Sequence, residues 1–369
     1  MSLRDKLKSK DGKPKDLGLF KRFGILTNPF PSSSQSANNP HRRLPVDDDA
    51  EARIVSFLRD GKSQVVVIEG TQGVGKTNFL SHFEAEIQDV LSDQEGYYVV
   101  RYLADPEASF DGTIRRLFQE LGTEHLDRLA AKIREDLSLM RAARNIDFRS
   151  ALTSLVSDES DSRSDLMMEW LLGLRLLKAH REQLGVQFRL DTVESKTAAL
   201  RDLVLVSSEA GILKGIFLLL DELEKQDGVL GPTAVVRYLS AMRAIIDSLP
   251  NHLFMMLAVT PDAMRRYSVA LPAFRSRLQN QITLSPLSDV DEALQLAQFY
   301  LNSAKADADA KKVRGTKGGQ EDIVTKTEAR EAFEHLRKLA DRRGDVGVRQ
   351  REYLHQLHRI AEDAIQDRL

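Results

Sequence analysis

Eight consecutive residues have the types and the spacing needed to bind phosphate. They fit the pattern G-x-x-x-x-G-K-[ST] at every fixed position and are Gly70, Thr71, Gln72, Gly73, Val74, Gly75, Lys76 and Thr77. Glycines let the backbone curl so that successive N–H groups point at phosphate oxygens, and the following helix adds the positive end of its dipole. Lys76 supplies charge for the β- and γ-phosphates, and the Thr77 hydroxyl is a ligand for Mg²⁺. The segment predicts a P-loop.

A pair of carboxylates gives this loop the acidic partner that it needs. Asp221 and Glu222 follow the apolar run 216–220 (IFLLL), which is typical of a buried strand. Asp221 can hold Mg²⁺ through water, and Glu222 can orient and polarise the attacking water. A carboxylate directly after the metal-binding aspartate favours hydrolysis of the nucleotide over binding alone.

Several apolar strands separated by helices must position these residues. The runs 64–69, 97–103, 216–220, 253–260 and 281–284 are predicted strands, and the glycine loop lies between the first of them and an amphipathic helix over 78–91. Continuous apolar strands that alternate with helices indicate a parallel sheet covered on both faces. The predicted fold is therefore α/β, with a five-stranded parallel sheet around a P-loop.

The remaining sequence divides the chain into three predicted parts. Residues 1–45 form an N-terminal arm that is partly flexible, 46–286 form the P-loop domain, and 287–369 form a helical lid domain. The segment from about 104 to 213 has mostly helical periodicity, and we predict that it is a large helical insertion between the second and third strands. The low-complexity stretch 304–322 in the last part is predicted to be a mobile loop.

The composition limits the possible classes of protein. Of 369 residues, 42% are hydrophobic and 29% are charged, which excludes wholesale disorder. With 53 basic and 55 acidic residues the net charge is −2, so any surface that binds nucleic acid must be local. There is no cysteine, which excludes disulfides and thiolate metal sites. No apolar run approaches the roughly 20 residues that span a bilayer, and we expect a cytoplasmic protein without a membrane segment.

The order of these motifs resembles a known family. The P-loop, IFLLLDE (216–222), LFMMLAVT (253–260), PAFRSRL (272–278) and a helical C-terminal domain resemble an AAA+ ATPase of the origin-recognition/Cdc6-like group over about residues 46–369. Shorter strings resemble the ATP-binding proteins of BREX-type phage-defence loci more closely. These strings are GIFLLLDELE (215–224), AVTPD (258–262), FRSRL (274–278), EWLLG (169–173) and LGVQFRLD (184–191).

The resemblance implies roles for further residues. It makes Thr260 a sensor of the γ-phosphate or the attacking water, and it makes Arg277 the preferred arginine finger, with Arg275 second. Arg349 becomes the second sensor. For each arginine the alternative is a solvated or carboxylate-paired charge. Residues 28–30 (Asn-Pro-Phe) either line an adenine pocket or form a hydrophobic anchor.

The resemblance also implies a function. We expect an Mg²⁺-dependent AAA+ ATPase that binds and hydrolyses ATP at subunit interfaces of a ring or filament. It would act on or with DNA in anti-phage defence, together with partner proteins. One alternative is a transposition-regulator type of AAA+ protein that forms filaments on DNA. The other is a STAND-like signalling switch that is gated by ATP and turns over slowly.

Overall fold

The computed structural model of the chain describes residues 20–32, 39–103, 110–157, 162–221, 232–278, 280–311 and 322–366. These residues belong to two compact units. The first, which we call the sheet unit, comprises Arg43–Thr71 and Phe79–Leu284. The second, which we call the helical unit, comprises the described parts of Met1–Arg42, Gln72–Asn78 and Ser285–Leu369.

The sheet unit is built on five parallel strands in the order β2-β3-β4-β1-β5. The strands are β1 (Gln64–Glu69), β2 (Tyr97–Leu103), β3 (Gly215–Asp221), β4 (Leu253–Val259) and β5 (Asn280–Thr283). Every residue of β3 and β4 is buried, which explains why both sequences are continuously apolar instead of alternating. The five-stranded parallel sheet predicted from the sequence is confirmed.

Helices connect the strands of the sheet unit. Before β2 they are α1 (Asp47–Asp60) and α2 (Lys76–Val90). Between β2 and β3 they are α3 (Phe110–Glu135), α4 (Ile146–Ser157), α5 (Ser162–Leu171), α6 (Lys178–Leu184) and α7 (Val193–Glu209). After β3 they are α8 (Pro232–Ser248), α9 (Pro261–Ala270) and the short α10 (Pro272–Arg275). The large helical insertion expected between the second and third strands is therefore present as α3–α7.

The insertion shares the buried core of the sheet unit, and two separate sequence strings meet within it. The Trp170 side chain is 1% exposed, and its Nε1 donates a hydrogen bond to the Phe188 carbonyl at 2.9 Å. Arg189 Nε donates to the Gly173 carbonyl at 2.8 Å. These two bonds tie EWLLG to LGVQFRLD, so two of the five strings that carry the closer resemblance pack against each other.

A buried histidine joins the insertion to the edge strand β2. His125 is fully buried, with the Tyr98 hydroxyl 2.6 Å from its Nδ1 and the Ser207 hydroxyl 2.8 Å from its Nε2. Burial, together with the positive charge of Arg128, lowers the pKa of His125 to about 4. The folded protein therefore holds this imidazole neutral at pH values where an unfolded chain would protonate it.

This histidine should make the protein sensitive to acid. Because its folded pKa lies below the ordinary value of about 6.5, its contribution to stability is complete above pH 6.5 and is lost as the pH falls toward 4. The loss should amount to about 3 kcal/mol. Urea unfolding at several pH values should show a shallower acid-induced loss for His125→Gln than for the wild type. Replacing His335, an exposed histidine on another helix, should leave the slope unchanged. Equal slopes in wild type and His125→Gln would contradict this account.

The helical unit contains three long helices: α11 (Val290–Ala310), α12 (Lys326–Arg343) and α13 (Gln350–Gln366). Their apolar faces share a buried cluster with residues from the N-terminal arm, among them Phe23, Ile25 and Phe30. The predicted C-terminal helical domain is confirmed. The loop prediction was wrong for 304–310, where α11 continues because the alanines in this stretch have high helix propensity. Residues 312–321 of the predicted loop lie outside the described residues. Within the described residues, no helix is both long enough and apolar enough to cross a membrane.

Candidate functional site

Three of the sequence-predicted site residues lie at the same edge of the sheet. The strands β3, β4 and β1 are neighbours in the sheet. Asp221 is the last residue of β3, Thr260 directly follows β4, and Gly70 directly follows β1. The Gly70 N–H donates to the Val259 carbonyl at 3.2 Å. The Thr260 hydroxyl accepts a hydrogen bond from the Ala263 N–H at 3.3 Å and caps α9. Ligands of open α/β sheets bind at this edge.

Asp221 is held by a cation that the sequence analysis did not single out. Its side chain is fully buried, and its Oδ2 accepts a hydrogen bond from Nη2 of Arg101 on β2 at 3.0 Å. Arg101 Nη1 donates to Glu84 Oε2 at 3.0 Å and to Ser81 Oγ at 2.5 Å. The signal was present in the strand sequence YYVVRYL, where one charge interrupts an apolar run. A charge in such a strand needs a partner, since a buried unpaired charge is costly.

The glycines of the loop lie in backbone conformations that other residues rarely adopt. Gly73 has φ +83° and Gly75 has φ +105°. Within the helical unit, the loop is closely approached by the beginning of α13. The Gly73 carbonyl accepts a hydrogen bond from the Arg351 N–H at 2.9 Å, and a Cβ on Gly73 would lie 3.3 Å from Arg351 Cβ. A Cβ on Gly75 would lie 3.1 Å from the Gln350 side-chain oxygen.

The other residues of the loop differ in exposure. Thr71 and Gln72 are exposed, whereas Val74 is buried. Lys76 and Thr77 are the first two residues of α2, and Lys76 is only 8% exposed. Both side chains therefore start from the positive end of a helix, where anions are stabilised.

Arg349, the predicted second sensor, lies beside the glycine loop. Its Cβ is 3.5 Å from the position that a Cβ on Gly73 would occupy. Its guanidinium pairs with Asp345 at 3.3 Å and with Glu352 at 3.5 Å. The side chain is 32% exposed, so it keeps access to solvent. The structure thus brings this sequence-distant arginine next to the loop.

The two finger candidates differ in their surroundings. Arg277 Nε donates to Asp247 Oδ1 at 2.6 Å, and this hydrogen bond lowers the pKa of the Asp247 carboxyl. The pair is well exposed, with 38% of the Arg277 side chain accessible. Arg275 is exposed and, among the described residues, makes no ion pair. Glu222 lies outside the residues that the structure describes.

The arm residues 28–30 fit the anchor interpretation. Phe30 is 1% exposed and packs near Tyr300 of α11, with ring centroids 6.3 Å apart. The Asn28 side chain donates to the His358 carbonyl at 3.0 Å and to Glu362 Oε1 at 2.8 Å, both on α13. These contacts fix the arm to the C-terminal helices.

The residues present fit a nucleoside triphosphate with Mg²⁺. The positive φ angles of Gly73 and Gly75 match a backbone that turns its N–H groups toward phosphate. The Thr77 hydroxyl and the Asp221 carboxylate are oxygen donors of the kind that Mg²⁺ prefers. The buried Asp221 carboxylate is paired with Arg101, and a divalent cation bound at this carboxylate would act on the same negative charge.

The glycine loop between β1 and α2 and the five-stranded parallel sheet define a P-loop α/β protein. Residues 110–363 match the family model described as BREX system ATP-binding protein BrxC/D. Since this match spans well over half of the chain, the protein belongs to that family.

Two solved structures with weak similarity belong to one protein, ORC2 of Aeropyrum pernix. The structure of its ADPNP-ADP complexes is 12% identical in sequence, with a TM-score of 0.44 and coverage of 90% of this chain and 72% of the other. Its ADP form is 14% identical, with a TM-score of 0.40 and coverage of 92% and 73%. No curated protein matches the chain.

Proposed function

We propose that the protein is an Mg²⁺-dependent ATPase that hydrolyses ATP at interfaces between its own subunits. It would act on or with DNA and with partner proteins of the BREX phage-defence system, in the cytoplasm. The observation that carries the proposal is the complete glycine-loop motif between β1 and α2; the buried Asp221 at the carboxyl end of β3 supports it. The DNA component rests on the resemblance to origin-recognition ATPases.

Each residue of the proposed site would have a distinct role in ATP binding or hydrolysis. Backbone N–H groups of the loop and the Lys76 ammonium would bind the phosphates. The Thr77 hydroxyl and the Asp221 carboxylate would hold Mg²⁺, which supplies positive charge to the phosphate oxygens. Glu222 would orient and polarise the attacking water, and Thr260 would contact that water or the γ-phosphate. Arg349 would report the state of the nucleotide to α13.

An arginine from a neighbouring subunit would complete the site. Arg277 is our proposed finger, because its bond to Asp247 is solvent-exposed and breaks at small cost. A guanidinium placed at the transferring phosphoryl group stabilises the charge of the transition state. Turnover would then require assembly of the protein.

Arg277→Ala should leave ATP binding by single subunits intact and lower turnover by about 100-fold or more. Arg275→Ala serves as the comparison and should have a much smaller effect. Mixing Arg277→Ala with Lys76→Ala protein should restore part of the activity, because some mixed interfaces combine an intact loop with an intact finger. Steady-state ATPase assays on the mixtures measure this rescue, and its complete absence would contradict a finger acting between subunits.

The whole proposal is tested by the ATPase rate as a function of protein concentration, with and without duplex DNA. Mass photometry on the same samples reports assembly. Stimulation by DNA that rises with assembly supports the proposal. Filaments on bare duplex that recruit a transposase would favour the transposition-regulator type. A flat, near-zero rate with tightly retained ADP and no response to DNA would favour the signalling switch.

A further inference from the structure

Arg101 connects three acceptors that come from two other elements of the sheet unit. It extends from β2 to Asp221 at the end of β3, and to Ser81 and Glu84 on α2. The side chain is 14% exposed, so the contacts are largely shielded from water. The mechanism above gives this cation no role, although it touches the carboxylate that would hold the metal.

We propose that Arg101 is a positioning residue that sets the affinity of the site for Mg²⁺. Without metal, its guanidinium neutralises the buried Asp221 carboxylate. When Mg²⁺ binds with the nucleotide, Nη2 leaves Asp221 while Nη1 stays on Glu84 and Ser81. This inference rests on the proposed function, because it assumes that the loop binds ATP with Mg²⁺.

The need for a resident cation follows from the burial of Asp221. Its side chain has no exposed surface, and an unpaired carboxylate in such a place is strongly destabilising. Arg101 removes that cost in the absence of metal. A divalent cation and a guanidinium beside the same carboxylate repel each other, so binding of one weakens the contact with the other.

The second set of contacts makes the exchange inexpensive. A guanidinium has five N–H donors in a fixed fork, and Arg101 uses different nitrogens for Asp221 and for Glu84. Release of Asp221 therefore leaves the arginine paired and hydrogen-bonded. Glu84 competes with Asp221 for the same positive charge, so Glu84 should favour metal binding without touching the metal.

Two substitutions should therefore shift the affinity for Mg²⁺ in opposite directions. Arg101→Gln removes the competing cation, and the concentration of Mg²⁺ at half-saturation should fall about tenfold. Glu84→Gln removes one of the two carboxylates that compete for Arg101 among the described contacts, which should strengthen its pairing with Asp221, and the half-saturating concentration should rise by several-fold. A purely structural role for Arg101 would not predict that the two substitutions shift the half-saturating Mg²⁺ concentration in opposite directions.

The test uses the full chain and a fluorescent ATP analogue at fixed concentration, titrated with MgCl₂. Thermal unfolding with and without Mg²⁺ and nucleotide is the second readout. Without metal, Arg101→Gln should have a lower melting temperature than the wild type. Addition of Mg²⁺ and nucleotide should raise the melting temperature of Arg101→Gln by more than it raises that of the wild type. If Arg101→Gln does not fold, Glu84→Gln and Arg101→Lys still carry the test, the lysine variant being expected to bind Mg²⁺ more tightly because it lacks the fork.

The control is Arg59→Gln, which removes an arginine from the exposed pair with Asp60 and should leave the Mg²⁺ titration unchanged. Unchanged half-saturation in the Arg101 and Glu84 variants, or shifts in the same direction, would overturn the inference while wild-type binding upholds the proposed function. A wild type that binds the analogue without any dependence on Mg²⁺, or that does not bind it, overturns both.

Discussion

Replacing Lys76 with alanine should abolish ATP binding. Lys76 is the first residue of α2 and is 8% exposed, so the residue is largely shielded from solvent. Its charge-assisted hydrogen bonds to phosphate cannot be replaced by water at equal strength. Loss of one or two such bonds corresponds to at least about 100-fold weaker binding. Isothermal titration calorimetry with ATP and Mg²⁺ measures this change.

The control for this substitution is Lys326→Ala, at an exposed position where α12 begins. It removes an equal charge and should bind ATP like the wild type. Thermal unfolding without nucleotide should show that both variants are folded. Retained affinity in folded Lys76→Ala protein would mean that the glycine loop is not the nucleotide site.

Replacing Glu222 with glutamine should separate binding from hydrolysis. Glutamine keeps the size of the side chain but cannot accept a proton from water, so ATP should bind with wild-type affinity while turnover falls by about 100-fold or more. The bound ATP should hold the protein in its assembled form. Single-turnover hydrolysis of radiolabelled ATP and mass photometry measure the two effects.

Two matched variants make this result specific. Glu209→Gln changes a carboxylate at the exposed end of α7 and should leave turnover unchanged. Asp221→Asn changes the neighbouring carboxylate and should weaken the response to Mg²⁺ itself, which Glu222→Gln should not do. Wild-type turnover in Glu222→Gln would exclude this residue as the group that positions water.

The sheet could be predicted from the sequence because its strands are buried on both faces. The runs QVVVIE, GIFLLLD and LFMMLAV are short and almost continuously apolar, as expected of strands that are buried on both faces. The glycine motif identifies the strand that precedes the phosphate-binding helix. The order of the strands in the sheet did not follow from the sequence. Strand order depends on contacts between segments that are far apart in the chain, and apolar runs of similar composition do not specify their neighbours.

The contacts around the candidate site were beyond the sequence for the same reason. The pairing of Arg101 with Asp221 joins two strands that are separated by the whole insertion. The hydrogen bond from Arg351 to Gly73 joins the last helix to the glycine loop. The identity of each residue was visible, but the partner was set by folding. The P-loop itself could be found because its geometry is local and its glycines are required by backbone conformation.

The contact between the loop and α13 has an evolutionary consequence. A Cβ on Gly73 would lie 3.3 Å from Arg351 Cβ and 3.5 Å from Arg349 Cβ. A substitution in the glycine loop should therefore be tolerated only with a compensating substitution at the beginning of α13. In descendants of this sequence, substitutions in residues 73–75 should occur together with substitutions in residues 349–351.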